Sequence, residues 1–494
     1  MNEMARTIRA KFASEEKDKD CVRLKVLVAE TNSLDSTYDG FDVGGERIAD
    51  EVQRAIEDIQ ADGQRKVTRF SVVGYSLGGL LSRYLVGILE SRKFFETVKP
   101  VNFATFASPH IGLVKMDNFF SKLGFKLGPK MLSRTGPQLY GVDSWSSSGQ
   151  TIMEVMADPK GIFYQGLAKF ERLSLYGSAE FDTALPRYGD RTVSYQTALI
   201  EVEDPFYDHE ETGLIFNQSK EYPHLLESYE YPSRPPSPPP PSPVLSREYL
   251  KTKMTPRIRL PPFLQLRFPL NLVLYALLPV LIPMGLSVAY IKVSLDSSRS
   301  RKRLKVLEAD DARFEDRLVN VLRRLDKQME DAIVEMVENA EEQQAAEAIE
   351  EVDLDTGEPI HKEEVEGKTS SASSSSPLKP NSSRTRTLSS SSSSSSLSKK
   401  KAKAHSRQET STGINNDHHK SSPSSSSSSD APVLSELQLK LIASLNTLPF
   451  HKYRGYFPGV FSAHAVIISR DVERFAFHKQ GESILRHWAD HFIL

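Results

Sequence analysis

The chain has 494 residues, 39% of them hydrophobic, one cysteine and a formal net charge of −2. That length allows about two to four domains, and the near-neutral balance offers no basic field for nucleic acid. The lone Cys21 excludes an intramolecular disulfide and suits a reducing compartment. No Cys/His cluster suggests a metal, no cofactor is expected, and the opening residues Met1 to Arg6 contain no apolar signal-peptide core.

In chain order, residues 4–12 predict a short amphipathic helix with Ile8 and Phe12 inward. Leu24 to Val28 predicts a strand, and Glu30 to Asp42 a polar loop. Gly44-Gly45 then precede a helix with Ile48, Val52, Ile56 and Ile59 on one face, ended by Asp62-Gly63. A β-branched and aromatic run, Val67 to Val73, meets Gly74-Tyr75-Ser76-Leu77-Gly78-Gly79. Leu80, Leu81, Tyr84, Leu85, Ile88 and Leu89 follow at helical spacing. Val101 to Phe106 is the next strand and ends in Ala107-Ser108-Pro109-His110. Strands alternating with amphipathic helices predict a parallel sheet covered on both faces. Loops at the carboxyl ends of its strands are then the functional ones. Residues 111–170 read as a helical cap over the site or, equally well, as ordinary core helices. Leu173 to Tyr176 is a further strand and leads into a loop with two acids, Asp182 and Asp190.

After residue 200 the character changes. Residues 201–262 read as an acidic and proline-rich linker, including Pro232 to Pro243. Residues 263–295 contain an uncharged run, Phe268 to Tyr290, long enough to cross a bilayer but broken by Pro279 and Pro283. Basic residues flank both ends, so charge sets no orientation. A kinked span and a hairpin in one leaflet both fit, and the hairpin is slightly preferred because it suits a lipid-droplet monolayer. Residues 300–352 predict a charged amphipathic helix, and 353–432 a serine-rich disordered segment. Order resumes over 433–494, with Leu434, Leu437, Leu441 and Leu445 on a helix face, Ala463 to Ile468 as a strand-edge run, and a closing helix from Ser483 to Phe492.

Gly74-Tyr75-Ser76-Leu77-Gly78 fits the G-x-S-x-G nucleophile elbow of α/β hydrolases, because a strand precedes it and a helix follows. Glycines two residues either side of the serine give a tight turn room. A serine hydroxyl needs a base to take its proton and an acid to orient that base. In this fold the acid and then the histidine come after the serine in the chain. Asp182 or Asp190 can be the acid. Among the histidines of the returning globular part (His451, His464, His478, His487, His491), His464 alone lies in an apolar run.

Five blocks in order resemble a family of fungal serine esterases with the α/β-hydrolase fold, a family that includes a lipid-droplet phospholipase of yeasts. The blocks are Thr37 to Arg47, Gly74 to Leu80, Phe106 to Gly112, Asp190 to Val193 and Ala463 to Arg470. The resemblance implies Ser76 as nucleophile, Asp190 as acid and His464 as base, with the Leu77 N–H in the oxyanion hole. It implies an α/β-hydrolase domain made of 1–200 and 433–494, and the residues between them read as a membrane-associated and disordered insert. Family members usually begin with a strand ending in His-Gly that supplies a second oxyanion donor, and this sequence starts after that point. They also tend to have Pro where Ser194 stands. The expected activity is hydrolysis of acyl esters of glycerolipids, phospholipids above all, at a lipid-droplet or endoplasmic-reticulum surface with the catalytic domain facing the cytosol. Rival expectations are an acyltransferase or thioesterase using the same triad, and an N-terminally incomplete, weak or inactive membrane tether.

Overall fold

The computed structural model describes residues 1–13, 22–116, 119–146, 148–179, 198–201, 214–232, 270–309, 432–458, 460 and 463–494. The first helix, α1 (Asn2–Phe12), buries Met4, Ala5 and Ile8, as the apolar spacing requires. The stretch expected as a strand at Leu24 to Val28 is not one. Residues 22–30 alternate in exposure, as a strand would, but join no ladder. An alternating segment becomes a strand only when a neighbour takes its backbone hydrogen bonds. Here Leu24 and Val26 instead pack on the apolar cluster that contains Met4 and Ile8. Helix α2 (Phe41–Gln60) begins earlier than expected and runs through Gly44 and Gly45. A Cβ at Gly45 would come within 2.5 Å of the Tyr84 ring, so these glycines let two helices touch.

The strand β1 (Arg69–Tyr75) enters α3 (Leu77–Ser91), and β2 (Lys99–Phe106) lies parallel beside β1. A two-residue strand, β3 (Lys115–Met116), precedes four helices: α4 (Phe119–Met131), α5 (Thr135–Tyr140), α6 (Ile152–Ala157) and α7 (Ile162–Ala168). Of these, α6 and α7 are not a cap. Met153, Met156 and Phe163 are buried in the same core as Leu80, Tyr84 and Ile88 of α3, so this stretch is core helix. Strand β4 (Arg172–Ser178) continues the parallel sheet on the far side of β2.

Part of the expected linker is sheet. Strands β5 (Ile215–Gln218) and β6 (Leu225–Glu230) form an antiparallel hairpin. Leu225 and Leu226 face inward, and the acids Glu227 and Glu230 remain exposed. Acidic side chains at a sheet margin discourage further pairing and give the segment its linker-like composition.

From Leu270 on, the apolar run that suggested a hairpin lies in one continuous helix, α8 (Leu270–Ala309), with Pro279 and Pro283 inside it and no reversal. Among the described residues this is the one helix long and apolar enough to cross a membrane. Its apolar stretch is bare: Val280, Met284, Leu286 and Val288 are each more than half exposed. Most of the expected helix over 300–352 and all but the last residue of the serine-rich segment 353–432 lie outside the described residues.

Beyond the insert, β7 (Pro432–Val433) pairs antiparallel with β3, and α9 (Glu436–Leu445) buries Leu441, Ile442 and Leu445. Strand β8 (Phe450–Gly455) lies parallel to β4, so chain from before and after the insert shares one sheet of order β1-β2-β4-β8-β6-β5. Ala463 to Ile468 is not a strand edge. It forms a single helical turn, α10 (Ala463–Val466), followed by turns. Its buried residues Ala463, Val466 and Ile467 are spaced i, i+3, i+4, the helical period. The last helix, α11 (Glu482–Asp490), buries Ile484, Leu485 and Trp488.

Consecutive residues of β4 define the layers. Leu175 belongs to the cluster under α3, α6 and α7, while Tyr176 belongs to the cluster under α1 and α11. Side chains alternate across a strand, so the sheet is covered on both faces. This is an α/β fold, and the carboxyl ends of β1, β2, β4 and β8 share one edge.

Candidate active site

The site begins at the end of β1. Ser76 has φ 54° and ψ −127°, a left-handed backbone that only a well-braced non-glycine residue holds. The bracing is visible. The Ser76 N–H donates to the Phe106 carbonyl at 2.9 Å, and the Gly79 N–H donates to the Ser76 carbonyl at 3.0 Å. A Cβ at Gly74 would sit 2.6 Å from the Gly79 Cα, and one at Gly79 would sit 2.1 Å from the Ser108 Oγ. One at Gly78 would meet nothing within 4 Å. The crowded glycines of the elbow are therefore Gly74 and Gly79, and the second glycine of the five-residue pattern stands in open space.

Behind the turn lies a buried brace. Thr105 Oγ1 and His110 Nε2 are 2.8 Å apart. Arg83 donates to the carbonyls of His110 at 3.0 Å and Met156 at 3.1 Å. Burial, then the nearby Arg83, hold the His110 imidazole well below its ordinary range, so this histidine is neutral and structural. The brace ties α3 to the end of β2 and to α6. The Ser108-Pro109-His110 block thus supports the elbow from below.

His464 comes from the other end of the chain, on α10. Its Nε2 lies 3.0 Å from the Ser76 Oγ. Two residues 388 positions apart meet at hydrogen-bond distance at the carboxyl edge of the sheet. The His464 backbone carbonyl and ring are both met by Tyr75, a residue that sequence reasoning passed over. The Tyr75 hydroxyl donates to the His464 carbonyl at 3.0 Å, and the two rings stack obliquely at 5.1 Å between centroids. Tyr75 occupies a position that the elbow pattern leaves open, so the motif gives no signal for it.

Leu77 is the first residue of α3. The N–H of a first helical residue has no acceptor within its own helix, and the helix dipole makes that end electropositive. Asp182 and Asp190 lie in residues 180–197, outside the described residues. That segment leaves from the carboxyl end of β4.

Two acids of the Thr37 to Arg47 block are buried as braces. Asp42 accepts from Arg134 Nε at 3.0 Å, Gln138 Nε2 at 3.1 Å and Trp145 Nε1 at 3.1 Å. Burial alone would raise its carboxyl, but Arg134 and the other donors outweigh it and hold it below the usual range. Asp39 is ion-paired to Arg47 at 2.7 Å and to Arg303 of α8 at 2.9 Å. The polar composition of this loop reflects an interior ion network as much as a surface.

A nucleophile elbow at the carboxyl edge of a largely parallel sheet, with a late histidine on the serine oxygen, defines a chain of the α/β-hydrolase class. Comparison with known proteins agrees. Residues 2–195 match the family described as "Putative serine esterase (DUF676)". "Putative lipase C4A8.10" of Schizosaccharomyces pombe is 30% identical over 136 residues, 26% of this chain and 17% of that protein. "Putative lipase ROG1" of Saccharomyces cerevisiae is 29% identical over 154 residues, 31% of this chain and 21% of that protein. "Putative lipase YDL109C" of the same yeast is 28% identical over 124 residues, 25% of this chain and 18% of that protein. The matched segment therefore spans about a fifth of each relative's length. No solved structure matches the chain. The resemblance to fungal serine esterases drawn from the five blocks is borne out by these matches.

Proposed function

We propose that this chain is a serine esterase that hydrolyses acyl esters of glycerolipids, phospholipids among them, at a lipid-droplet or endoplasmic-reticulum surface, with its catalytic domain in the cytosol. The observation that carries the reading is the 3.0 Å approach of His464 Nε2 to Ser76 Oγ at a strained elbow. The Ser76 oxygen attacks the ester carbonyl while His464 Nε2 takes its proton. The tetrahedral oxyanion is stabilised by the Leu77 N–H and the positive end of α3. His464 returns the proton to the departing glycerolipid alcohol, leaving an acyl ester on Ser76. Water, deprotonated by His464, releases the fatty acid and restores the serine. Asp190 orients the imidazole. A lipid substrate is supported by relatives that carry the name lipase, and by an exposed apolar helix on the same chain.

The test is fatty-acid release by purified full chain from phosphatidylcholine, triacylglycerol and a short-chain soluble ester. The reading expects release from the lipids that Ser76→Ala abolishes. Hydrolysis of the soluble ester alone would leave an esterase and remove the lipid. No hydrolysis of any of the three would remove the enzyme.

A further inference from the structure

The basic end of α8 does not trail away from the domain. Ser297 and Ser300 are buried, and the Ser300 hydroxyl donates to Ser133 Oγ at 3.0 Å. Arg303 donates to Asp35 Oδ2 at 2.7 Å and to Asp39 Oδ1 at 2.9 Å. This docking forms an open pocket of about 510 Å³ between α8 and the junction of α4 with α5. Pro129, Ser133 and Leu304 form part of its wall, and Lys130, Arg301 and Lys305 stand around it. Arg134 also lines it while engaged with Asp42. The lining residues include no carboxylate, and among the described residues no ion pair joins Lys130, Arg301 or Lys305 to an acid.

Converging cations with no counter-charge repel one another. Here a docked helix brings Arg301, which also donates to Ser297 Oγ at 2.8 Å, and Lys305 to the same pocket as Lys130, beside an Arg134 already paired with Asp42, from a segment some 170 residues earlier in the chain. An anion between them relieves that repulsion, and the apolar wall admits the adjoining glycerol and acyl carbons. The position along α8 says where the anion comes from. Leu295 is the last exposed apolar residue before Arg301. Six residues of helix span about 9 Å, which crosses a headgroup layer of about 5–8 Å and sets the cations at its outer face.

We propose that this cavity binds the phosphate of an anionic phospholipid standing beside α8 in the membrane surface. The site is separate from Ser76 and holds a lipid that is not the substrate. The proposal rests on the reading of α8 as a membrane helix. The shared chemistry, a phosphate ester, also occurs in soluble metabolites, so the test separates the two sources.

The experiment is co-sedimentation of the full chain with phosphatidylcholine vesicles, with and without phosphatidate. It compares wild type with Lys130→Gln/Arg301→Gln/Lys305→Gln and with a control on the same helix, Lys292→Gln/Arg299→Gln/Lys302→Gln. Juxtamembrane cations typically each contribute about fivefold to binding an anionic surface. By that figure, diffuse attraction alone would cost either triple variant about a hundredfold. A site at the cavity predicts instead that the cavity variant loses at least tenfold more on phosphatidate vesicles than the control does. Its binding to neutral vesicles is expected to stay unchanged. Lys130→Arg/Lys305→Arg is expected to keep wild-type binding, which separates lost charge from a lost fold. Equal losses in the two triple variants would mean diffuse attraction and overturn the site. Release from vesicles by soluble glycerol phosphate would overturn the lipid as its occupant. Neutral binding without any preference for phosphatidate would overturn the cavity and spare the membrane helix. No binding to either vesicle would overturn both.

Discussion

Substituting alanine at Gly78 and at Gly79 separates the motif from the geometry. The pattern G-x-S-x-G singles out Gly78 and ignores Gly79. The structure reverses that ranking. A Cβ at Gly79 would lie 2.1 Å from Ser108 Oγ and 2.5 Å from Ser108 Cβ, and Ser108 is buried, so neither side has room to give. Overpacking of this kind costs about 1–3 kcal/mol. Gly78 is within α3, has open space where a Cβ would go, and loses backbone entropy as glycine. Alanine there gains up to about 1 kcal/mol of helix propensity. At about 2–4 °C per kcal/mol for a domain of this size, Gly79→Ala should lower the melting temperature by several degrees, and Gly78→Ala should leave it equal or slightly higher. Thermal unfolding of the two variants in parallel is the assay. If Gly78→Ala proves the more damaging, the elbow is not braced from Ser108 as described.

Three further outcomes are expected. Tyr75→Phe deletes the hydrogen bond to the His464 carbonyl and should lower kcat up to about tenfold with little change in KM; an unchanged kcat would show that the ring contact alone holds the imidazole. Arg303→Ala leaves buried Asp39 with Arg47 only and should cost about 1–2 kcal/mol and speed proteolytic nicking of α8 within 292–305; an unchanged nicking rate would mean the helix is docked by other contacts. Burial, then His491, lower His487 to about 4. Its folded value is below its ordinary 6.5, so its full contribution is present above that pH and is lost as pH falls toward 4. The displacement is equivalent to about 3 kcal/mol. His487→Gln, which keeps a partner for the Tyr176 hydroxyl, should flatten denaturant stability between pH 6.5 and 4; a slope equal to wild type would place the sensitivity elsewhere.

What the sequence made legible followed the strength of its periodic signals. Val67 to Val73 followed by Ser76 and the Leu80 to Leu89 spacing announced the elbow, because strand, turn and helix signals agree over adjacent residues. His464 was reachable because chain order excludes His110 and, among the histidines of the returning globular part, His464 alone lies in an apolar run, yet its local structure was not legible. Ala463 to Ile468 looks like a strand by composition and is a helical turn by spacing. Leu24 to Val28 alternates as a strand should, but pairing depends on a neighbour that local sequence does not report. The hairpin β5–β6 was hidden by its exposed acids, and the reversal expected at Pro279 and Pro283 is absent. Asp39 and Asp42 carry the ordinary letters of a polar loop. Only the fold brings Arg47, Arg134 and Arg303 to them.

Reaction with a fluorophosphonate, followed by peptide mapping and by the rate for His464→Gln, tests the two side chains on which everything else depends. A serine pressed at 3.0 Å on an imidazole should be phosphonylated at Ser76 and nowhere else. Removing the base should slow labelling by about 10³-fold or more. Modification of another serine, or a His464→Gln protein that reacts as fast as wild type, would contradict the account.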